Sequence, residues 1–357
     1  MMRSATNWLT SALLFLAAAV GVLSLLLLVT GHPPAPALAA LVRGSVGSGY
    51  ALSTTVVRAI PLALSGLAVA LAFRAGLLNI GAEGQLLMGA CAATAMGGVI
   101  ATLMGGSTGS DLAGGSRVVA LLLILIASAL AGAAWAGIAA VLRRRFGVLE
   151  VISTIMLNFI ALSITGWLVR GPLQEPARIN PQSASLPQGL QLPVLLPGTR
   201  IHAGVLLAVG LALALWWWLR DRASGFRLRA VGGNPFAAAS AGQIAVARTT
   251  LMAFLLSGAL AGVAGGVELT GVTFALYENF SPGYGYTAIA VALLARLSPV
   301  GVLGTALLFG ALEAGASAMQ RDAMVPSVVV SVVEASLILL VVAADRWRSR
   351  GAAEAGV

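Results

Sequence analysis

Ten long stretches of the chain carry at most one charged side chain each, and this pattern restricts the possible folds more than any other feature. The first six are Trp8–Thr30, Ala59–Phe73, Gly84–Ser110, Val118–Leu142, Val151–Val169 and Ile201–Leu219. The last four are Thr249–Val267, Asn279–Ala295, Leu297–Leu312 and Ala323–Ala344, the last of which is interrupted only by Glu334. A helix needs roughly 20 apolar residues to cross a bilayer. We therefore predict an all-α fold, a polytopic transmembrane helical bundle of about ten spans that forms one domain over residues 1–357.

The composition excludes a water-soluble fold, because 59% of the residues are apolar and only 9% are charged. The net charge is +9, but all 21 basic residues are Arg and lie between the apolar stretches, so we expect no nucleic-acid partner. Since the phosphate-binding loop of ATPases requires Lys, the absence of Lys excludes ATP hydrolysis by that chemistry. The single cysteine, Cys91, lies in an apolar stretch and is interpreted as a small buried residue.

The distribution of Arg predicts the orientation. With the N-terminus in the cytoplasm, 14 of the 21 Arg residues fall inside, including Arg143–Arg145 and the cluster from Arg220 to Arg248. Both termini are then cytoplasmic. The first apolar stretch is longer than the core of a signal peptide, so we expect it to remain as a span.

Residues 220–248 form the predicted cytoplasmic loop that is most informative. Asn234 is a helix N-cap, Pro235 occupies the first helical position, Phe236 and Ala238 follow, and Gly242 lies just past the end. So short a helix needs a surface to pack against. That surface is either a partner ATPase or the lipid headgroups.

On the opposite side, residues 171–200 contain six Pro and predict an ordered or extended external loop rather than a helix. It is either a contact for an external partner or a spacer.

Polar residues inside apolar surroundings mark the candidate site, because such groups normally face a cavity or a partner. Phe73–Gln85 holds Arg74, Asn79, Glu83 and Gln85 between two apolar runs, the first of which is short and contains Pro61. This favours a broken helix that lines a site, although an inner turn between two spans is an alternative.

Further polar side chains lie deeper in the predicted spans. Asn158 either bonds between helices or contacts cargo, and Glu334 is expected to face the bundle interior. The candidate substrate pathway is therefore Asn79, Glu83, Gln85, Asn158 and Glu334. No metal or hydrolytic site is expected from His32 and His202, which lie near different membrane edges.

Several motifs resemble those of permease subunits in bacterial ABC importers for nucleosides, within the wider group that serves simple sugars and branched-chain amino acids. The motifs are Gly76–Ala90, Glu150–Asn158, Arg229–Pro235, Ile289–Arg296, Leu308–Leu312, Met319-Gln320 and Val325-Pro326. They occur in order from about residue 60 to 345. Two positions depart from the family pattern: Gly233, where the family usually has an acidic residue, and Glu334, where an uncharged Gln is more usual.

The resemblance implies a transporter in the bacterial inner membrane with two permease subunits, identical or homologous. It also implies a cytoplasmic ABC ATPase pair that binds ATP-Mg, so that this chain carries no cofactor, and an external substrate-binding lipoprotein. Residues 220–248 would be the ATPase coupling element, with Gly232, Asn234, Pro235, Phe236 and Ala238 at its centre.

Nucleosides are the expected cargo, with a simple sugar or branched-chain amino acid as the alternative. A second alternative is a proton-coupled secondary transporter that uses Glu83, Glu313 or Glu334. A purely structural membrane subunit is the third.

Overall fold

The computed structural model describes residues 20–103, 114–240 and 244–326, together with six residues between 328 and 339. Twelve uninterrupted α-helices occur in this part of the chain. The first six are α1 (Val20–Val29), α2 (Pro34–Val46), α3 (Gly49–Arg74), α4 (Ala82–Leu103), α5 (Gly115–Phe146) and α6 (Glu150–Val169). The others are α7 (Gly204–Asp221), α8 (Ala223–Gly233), α9 (Pro235–Ser240), α10 (Val246–Glu268), α11 (Tyr284–Leu294) and α12 (Pro299–Asp322). The described helical structure also includes a 3₁₀ turn at Gln188–Leu190, a π-helical turn at Leu269–Thr273 and the six described residues between 328 and 339.

Seven of these helices are long and apolar enough to cross a membrane: α3, α4, α5, α6, α7, α12 and α10 with its π turn. The prediction of an all-α membrane bundle is confirmed, whereas the number of about ten spans stays a prediction. Helix α11 has 11 residues because it begins only after Pro282-Gly283, five residues into the predicted span. Most of the predicted tenth span, including Glu334, lies outside the described residues.

The chain divides into two compact units, of which the first comprises Met1–Arg58 and Leu308–Val357. Its core is a cluster of buried apolar side chains: Leu27, Ala37, Ala40, Ala316, Met319 and Val325. In this unit Arg58 of α3 and Glu313 of α12 form an ion pair at 3.8 Å.

Arg58 lies within α3 and Glu313 lies within α12, although each is adjacent to the predicted end of a span. Helix α3 has 26 residues and begins at Gly49, so the prediction of a short span that starts at Ala59 is wrong. Pro61 lies within this helix without ending it. Because Arg58 pairs with Glu313, its charge does not require the helix to stop there.

The second unit, Ala59–Leu307, is built around α4, α5 and α10, which approach one another closely at small residues. Gly262 lies at this crossing: a Cβ atom there would overlap the carbonyl oxygen of Ser128 and come within 3.0 Å of the Cα atom of Gly132. A Cβ atom on Gly89 would overlap the backbone of Gly262 in turn. The small residues of 257–266 therefore form the packing seam that such a pattern predicts for membrane helices.

Candidate functional site

The connection between α3 and α4, residues 75–81, is irregular backbone in the second unit, and every second residue from Ala75 to Gly81 is buried. Helix α3 ends because Gly76 adopts a left-handed φ of 73°. Leu77 then donates from its backbone N–H to the carbonyl of Ala72 at 3.0 Å, as in a Schellman cap. The following residues are not helical, so side chains must satisfy their backbone groups.

Asn79 is fully buried and joins three helices. Its amide nitrogen donates to Gln85 Oε1 at 3.1 Å and to Ser257 Oγ at 2.9 Å, and its Oδ1 accepts from Gln85 Nε2 at 3.0 Å. The Ser257 hydroxyl donates to the carbonyl of Ala68 on α3 at 2.7 Å. Asn79 thereby ties the connection to α4 through Gln85 and, through Ser257, to α10 and α3.

Asn158 secures the same segment from α6. Its Nδ2 donates to the carbonyl of Ile80 at 2.9 Å, and its Oδ1 accepts from the backbone N–H of Gly84 at 2.8 Å. Both partners are backbone groups that α4 leaves without an intrahelical bond. Asn158 is thus an interhelical bonding residue in this conformation.

Glu83 is a carboxylate that is only 7% exposed. Its Oε2 accepts from the backbone N–H of Gly285 at 2.7 Å, and the side chain of Ser281 also bonds to it. Glu83 lies in the first turn of α4, and Gly285 lies in the first turn of α11. The carboxylate therefore stands at two helix N-termini, where the backbone dipoles favour negative charge.

The structure brings together four of the predicted pathway residues, Asn79, Glu83, Gln85 and Asn158, none more than 7% exposed. Ser257, Ser281 and Gly285 complete this group, which we call the polar cluster. The small-residue pattern of 257–266 accounts for Ser257 only as a packing residue, and no sequence feature singles out Gly285. The fifth predicted residue, Glu334, lies outside the described residues.

The connection itself differs from the predicted interrupted span. Because α3 and α4 have 26 and 22 residues, residues 75–81 join two complete helices, and the alternative of a turn between spans is the correct one. An ordinary turn between spans would leave Glu83 at the lipid headgroups, whereas the structure buries it against Gly285.

The loop of residues 220–248 contains the predicted capped helix, α9. Asn234 Oδ1 accepts from the backbone N–H groups of Phe236 and Ala237, each at 3.0 Å. Phe236 is 83% exposed, whereas Ala238 is buried. The N-cap is confirmed, while Gly242 lies outside the described residues and α8 was not predicted.

Gly232, near the end of α8, lies directly against the connection. A Cβ atom on Gly232 would overlap the carbonyl oxygen of Arg74, and a Cβ atom on Gly76 would come within 3.2 Å of the Cα atom of Gly232. Arg74 also donates from Nε to the carbonyl of Leu297 at 2.7 Å. The loop of residues 220–248 therefore contacts the backbone that leads, within a few residues, to Asn79.

Residues 171–200 form an ordered loop, as predicted, with one 3₁₀ turn. The loop pairs with the segment that follows α10: Leu186 N–H donates to Phe274 O at 2.7 Å and Leu192 N–H donates to Thr270 O at 2.8 Å. Ile179, Val194 and Leu196 remain exposed. Beside this loop His202 is buried, and burial lowers its pKa to about 4.

The described residues contain no group of three or more His, Cys, Asp or Glu that could hold a metal ion. Cys91 is buried, and its Sγ lies 3.4 Å from Thr165 Oγ1.

Comparison with known proteins identifies the family. Residues 51–342 match the family described as branched-chain amino acid transport system / permease component. The guanosine ABC transporter permease protein of Bacillus subtilis (strain 168) is 39% identical over 89% of this chain and 88% of its own length.

Two further relatives cover similar shares. A glucose ABC transporter permease protein of Haloferax volcanii is 36% identical over 97% of this chain and 90% of its own length. A nucleoside ABC transporter permease protein of Lactococcus lactis subsp. cremoris is 30% identical over 89% of this chain and 86% of its own length. No solved structure matches the chain significantly. With its apolar helices and a family match over most of its length, the chain belongs to the permease components of ABC transporters, as a multi-pass membrane protein that is not itself the ATPase.

Proposed function

We propose that this permease forms the translocation pathway of an importer for nucleosides that an external binding protein delivers. The names of the relatives from Bacillus and Lactococcus support this cargo. The observation that supports the mechanism is the direct contact between Gly232 and Arg74, because it joins the loop proposed for ATPase coupling to the segment that carries the polar cluster.

The ATPase would bind at α9. Phe236 projects from this helix with 83% of its surface exposed, and the Asn234 cap with Pro235 fixes the start of the helix. Ala238 is buried on its own chain, so a larger side chain there would displace α9. A large exposed aromatic side chain on a fixed helix is a suitable anchor for a partner protein.

Movement of α9 and α8 would then reach the polar cluster through Gly232. Because Gly232 and the Arg74 carbonyl are in backbone contact, α8 cannot shift toward the connection without displacing it. Residues 75–81 are held by Asn79 and Asn158 rather than by helical bonds. Their displacement would break side-chain bonds while leaving α3 and α4 intact.

The cluster would open into the pathway, with Asn79, Glu83, Gln85, Asn158 and Glu334 as the residues that face cargo. In the present conformation Asn79 and Gln85 bond to each other, and Asn79 also bonds to Ser257. Asn158 and Glu83 bond to backbone groups instead. Amide side chains donate and accept at once, which suits the base edges and hydroxyl groups of an uncharged nucleoside. For transport to be directional, each ligand of the transporter must bind one of the two conformations more tightly than the other.

Sugar hydroxyl groups would suit the same amides, and the relative from Haloferax is named for glucose. A simple sugar is therefore the second candidate cargo.

The remaining assembly follows the family. We expect a second permease subunit, identical or homologous, and a cytoplasmic ATPase that binds ATP-Mg. Residues 220–248 and both termini would lie in the cytoplasm of a bacterium, with the chain in its inner membrane. Residues 171–200 would face outside, where Ile179, Val194 and Leu196 offer apolar contacts to a binding lipoprotein.

Uptake by proteoliposomes that contain the permease, its ATPase and its binding protein tests the proposal. We expect ATP-dependent uptake of radiolabelled guanosine or uridine that unlabelled nucleosides compete away and glucose, ribose and leucine do not. Uptake of glucose, ribose or leucine instead would refute the cargo. Uptake without the ATPase that stops when the proton gradient collapses would refute the mechanism in favour of a secondary transporter.

A further inference from the structure

A cavity of about 470 Å³ lies between α7, α8 and α10, within the range of roughly 300–1,000 Å³ that is typical of ligand sites. Its lining includes Trp218, Arg227, Leu228, Arg248, Met252 and Leu256. Gly232 and the residues of α9 that we assign to ATPase coupling are not among the residues that line it.

The cavity carries positive charge that the described part of the chain does not balance. Arg227 comes from α8 and Arg248 from α10, and no described carboxylate lies within ion-pair distance of either guanidinium. The nearby Asp221 pairs instead with Arg220, at 3.6 Å. Two guanidinium groups that line one cavity favour an anionic ligand, and Arg is particularly suited to phosphate oxygens.

The other walls are apolar and partly exposed. Met252 and Leu256 lie one turn apart on the spanning helix α10 and are 49% and 38% exposed. Trp218 lines the cavity at the end of α7 and donates from its indole N–H to Ser224 Oγ at 2.8 Å. A soluble anion would not need these apolar walls, whereas the upper part of an acyl chain would.

The neighbouring residues have the composition of a membrane–water interface. The Arg220 guanidinium lies 5.3 Å from the ring centre of Trp216, and that of Arg222 lies 4.2 Å from the ring centre of Trp217. Tryptophan is enriched at this depth of the bilayer. The cavity therefore lies where phospholipid phosphates are expected.

We propose that the cavity is a binding site for an anionic phospholipid. The phosphate bonds to Arg227 and Arg248, and the beginning of an acyl chain lies along Met252 and Leu256. Basic pockets between membrane helices are known to bind anionic headgroups in this way.

Native mass spectrometry of the full-length protein tests this site, with phosphatidylglycerol and phosphatidylcholine as probes. We expect phosphatidylglycerol to be retained preferentially and the double variant R227A/R248A to lose about thirtyfold in affinity, which is about fivefold for each arginine. The variant R222A/R229A is the matched control, because it removes the same charge from the same loop outside the cavity, and it should retain the lipid.

A second measurement covers the case in which the alanine variant does not fold. In nanodiscs with brominated acyl chains, phosphatidylglycerol should quench tryptophan fluorescence more than phosphatidylcholine does. This excess should persist in R227K/R248K, which keeps the charge, and disappear in W218F. Equal binding of both lipids, or equal loss in R222A/R229A, would overturn the proposal. Loss of ATPase co-purification in R227A/R248A with unchanged lipid retention would also overturn it and assign the cavity to the ATPase interface.

Discussion

Replacing Gly232 with Ala should uncouple ATP hydrolysis from uptake. The added methyl group would overlap the carbonyl oxygen of Arg74, and this oxygen belongs to backbone that cannot rotate away as a flexible side chain could. Overpacking of this kind typically costs about 1–3 kcal/mol. Since Gly232 is helical, the higher helix propensity of Ala returns at most about 1 kcal/mol. Because the overlap is severe and involves backbone, the cost lies in the upper part of this range, about 2–3 kcal/mol, and about 1–2 kcal/mol remains after the propensity gain. That would shift the contact between α8 and the connection roughly fivefold to thirtyfold toward separation.

The neighbouring residue supplies a matched control. Gly233 is also helical, but a Cβ atom there would meet no other atom within 4 Å, so G233A should leave uptake unchanged or slightly stabilise α8. Uptake and ATPase activity would be measured in the same proteoliposomes, together with the amount of protein inserted. In G232A we expect uptake to fall at least about fivefold while insertion and ATPase activity persist. Wild-type uptake in G232A, or an equal defect in G233A, would refute the role of this contact.

Four further predictions concern single side chains. Asn158→Leu should lower stability by about 2–4 kcal/mol, because two buried backbone groups lose their partner, and thermal unfolding in detergent checks this against Ser163→Ala, an exposed change on the same helix. Glu83→Gln keeps an acceptor in place of the carboxylate and should retain uptake within about threefold, whereas Glu83→Leu should abolish it; a total loss in Glu83→Gln would support proton coupling instead. Burial lowers the pKa of His202 to about 4, so between about pH 6.5 and 4 the unfolded chain binds a proton at this residue and the folded chain does not. The free energy of unfolding should therefore fall by about 3 kcal/mol as the pH is lowered through that window. Thermal unfolding measures this dependence, and His202→Gln should flatten it. Phe236→Ala should weaken binding of the ATPase about tenfold or more without lowering the unfolding temperature, because the side chain is 83% exposed, and co-purification titrations would measure this.

Apolar runs and local capping rules predicted the parts of the structure that depend on nearby residues. The stretches within α3 to α7 and α10 follow from their lack of charge, and the N-cap at Asn234 follows from the residue types at three neighbouring positions. The sequence also predicted the candidate cluster, because Asn, Gln and Glu side chains inside apolar surroundings need hydrogen-bond partners.

The features that the sequence did not predict depend on residues far apart in the chain. Helix α3 continues through Arg58 because Arg58 pairs with Glu313. The two residues are 255 positions apart, so the sequence around one gives no indication of the other. Ser257 lies in a run of small residues that indicates only helix packing, and nothing near it in sequence indicates its bond to Asn79. The close approach of Gly232 to Arg74 is likewise a tertiary contact, here between the C-terminal ends of α8 and α3, which are far apart in the chain.

The backbone pairing of residues 183–192 with the segment that follows α10 links the loop of residues 171–200 mechanically to the polar cluster. Leu192 bonds to Thr270 in the π turn, and Ser257 lies on the same continuous helix, about 18 Å below Leu269 at 1.5 Å per residue. Because this helix is continuous, a displacement of the loop would be transmitted along it to Ser257. The hydroxyl of Ser257 bonds to Asn79, and Gly232 contacts the backbone at the start of the same seven-residue connection, so displacements of residues 171–200 and of residues 220–248 converge on Asn79.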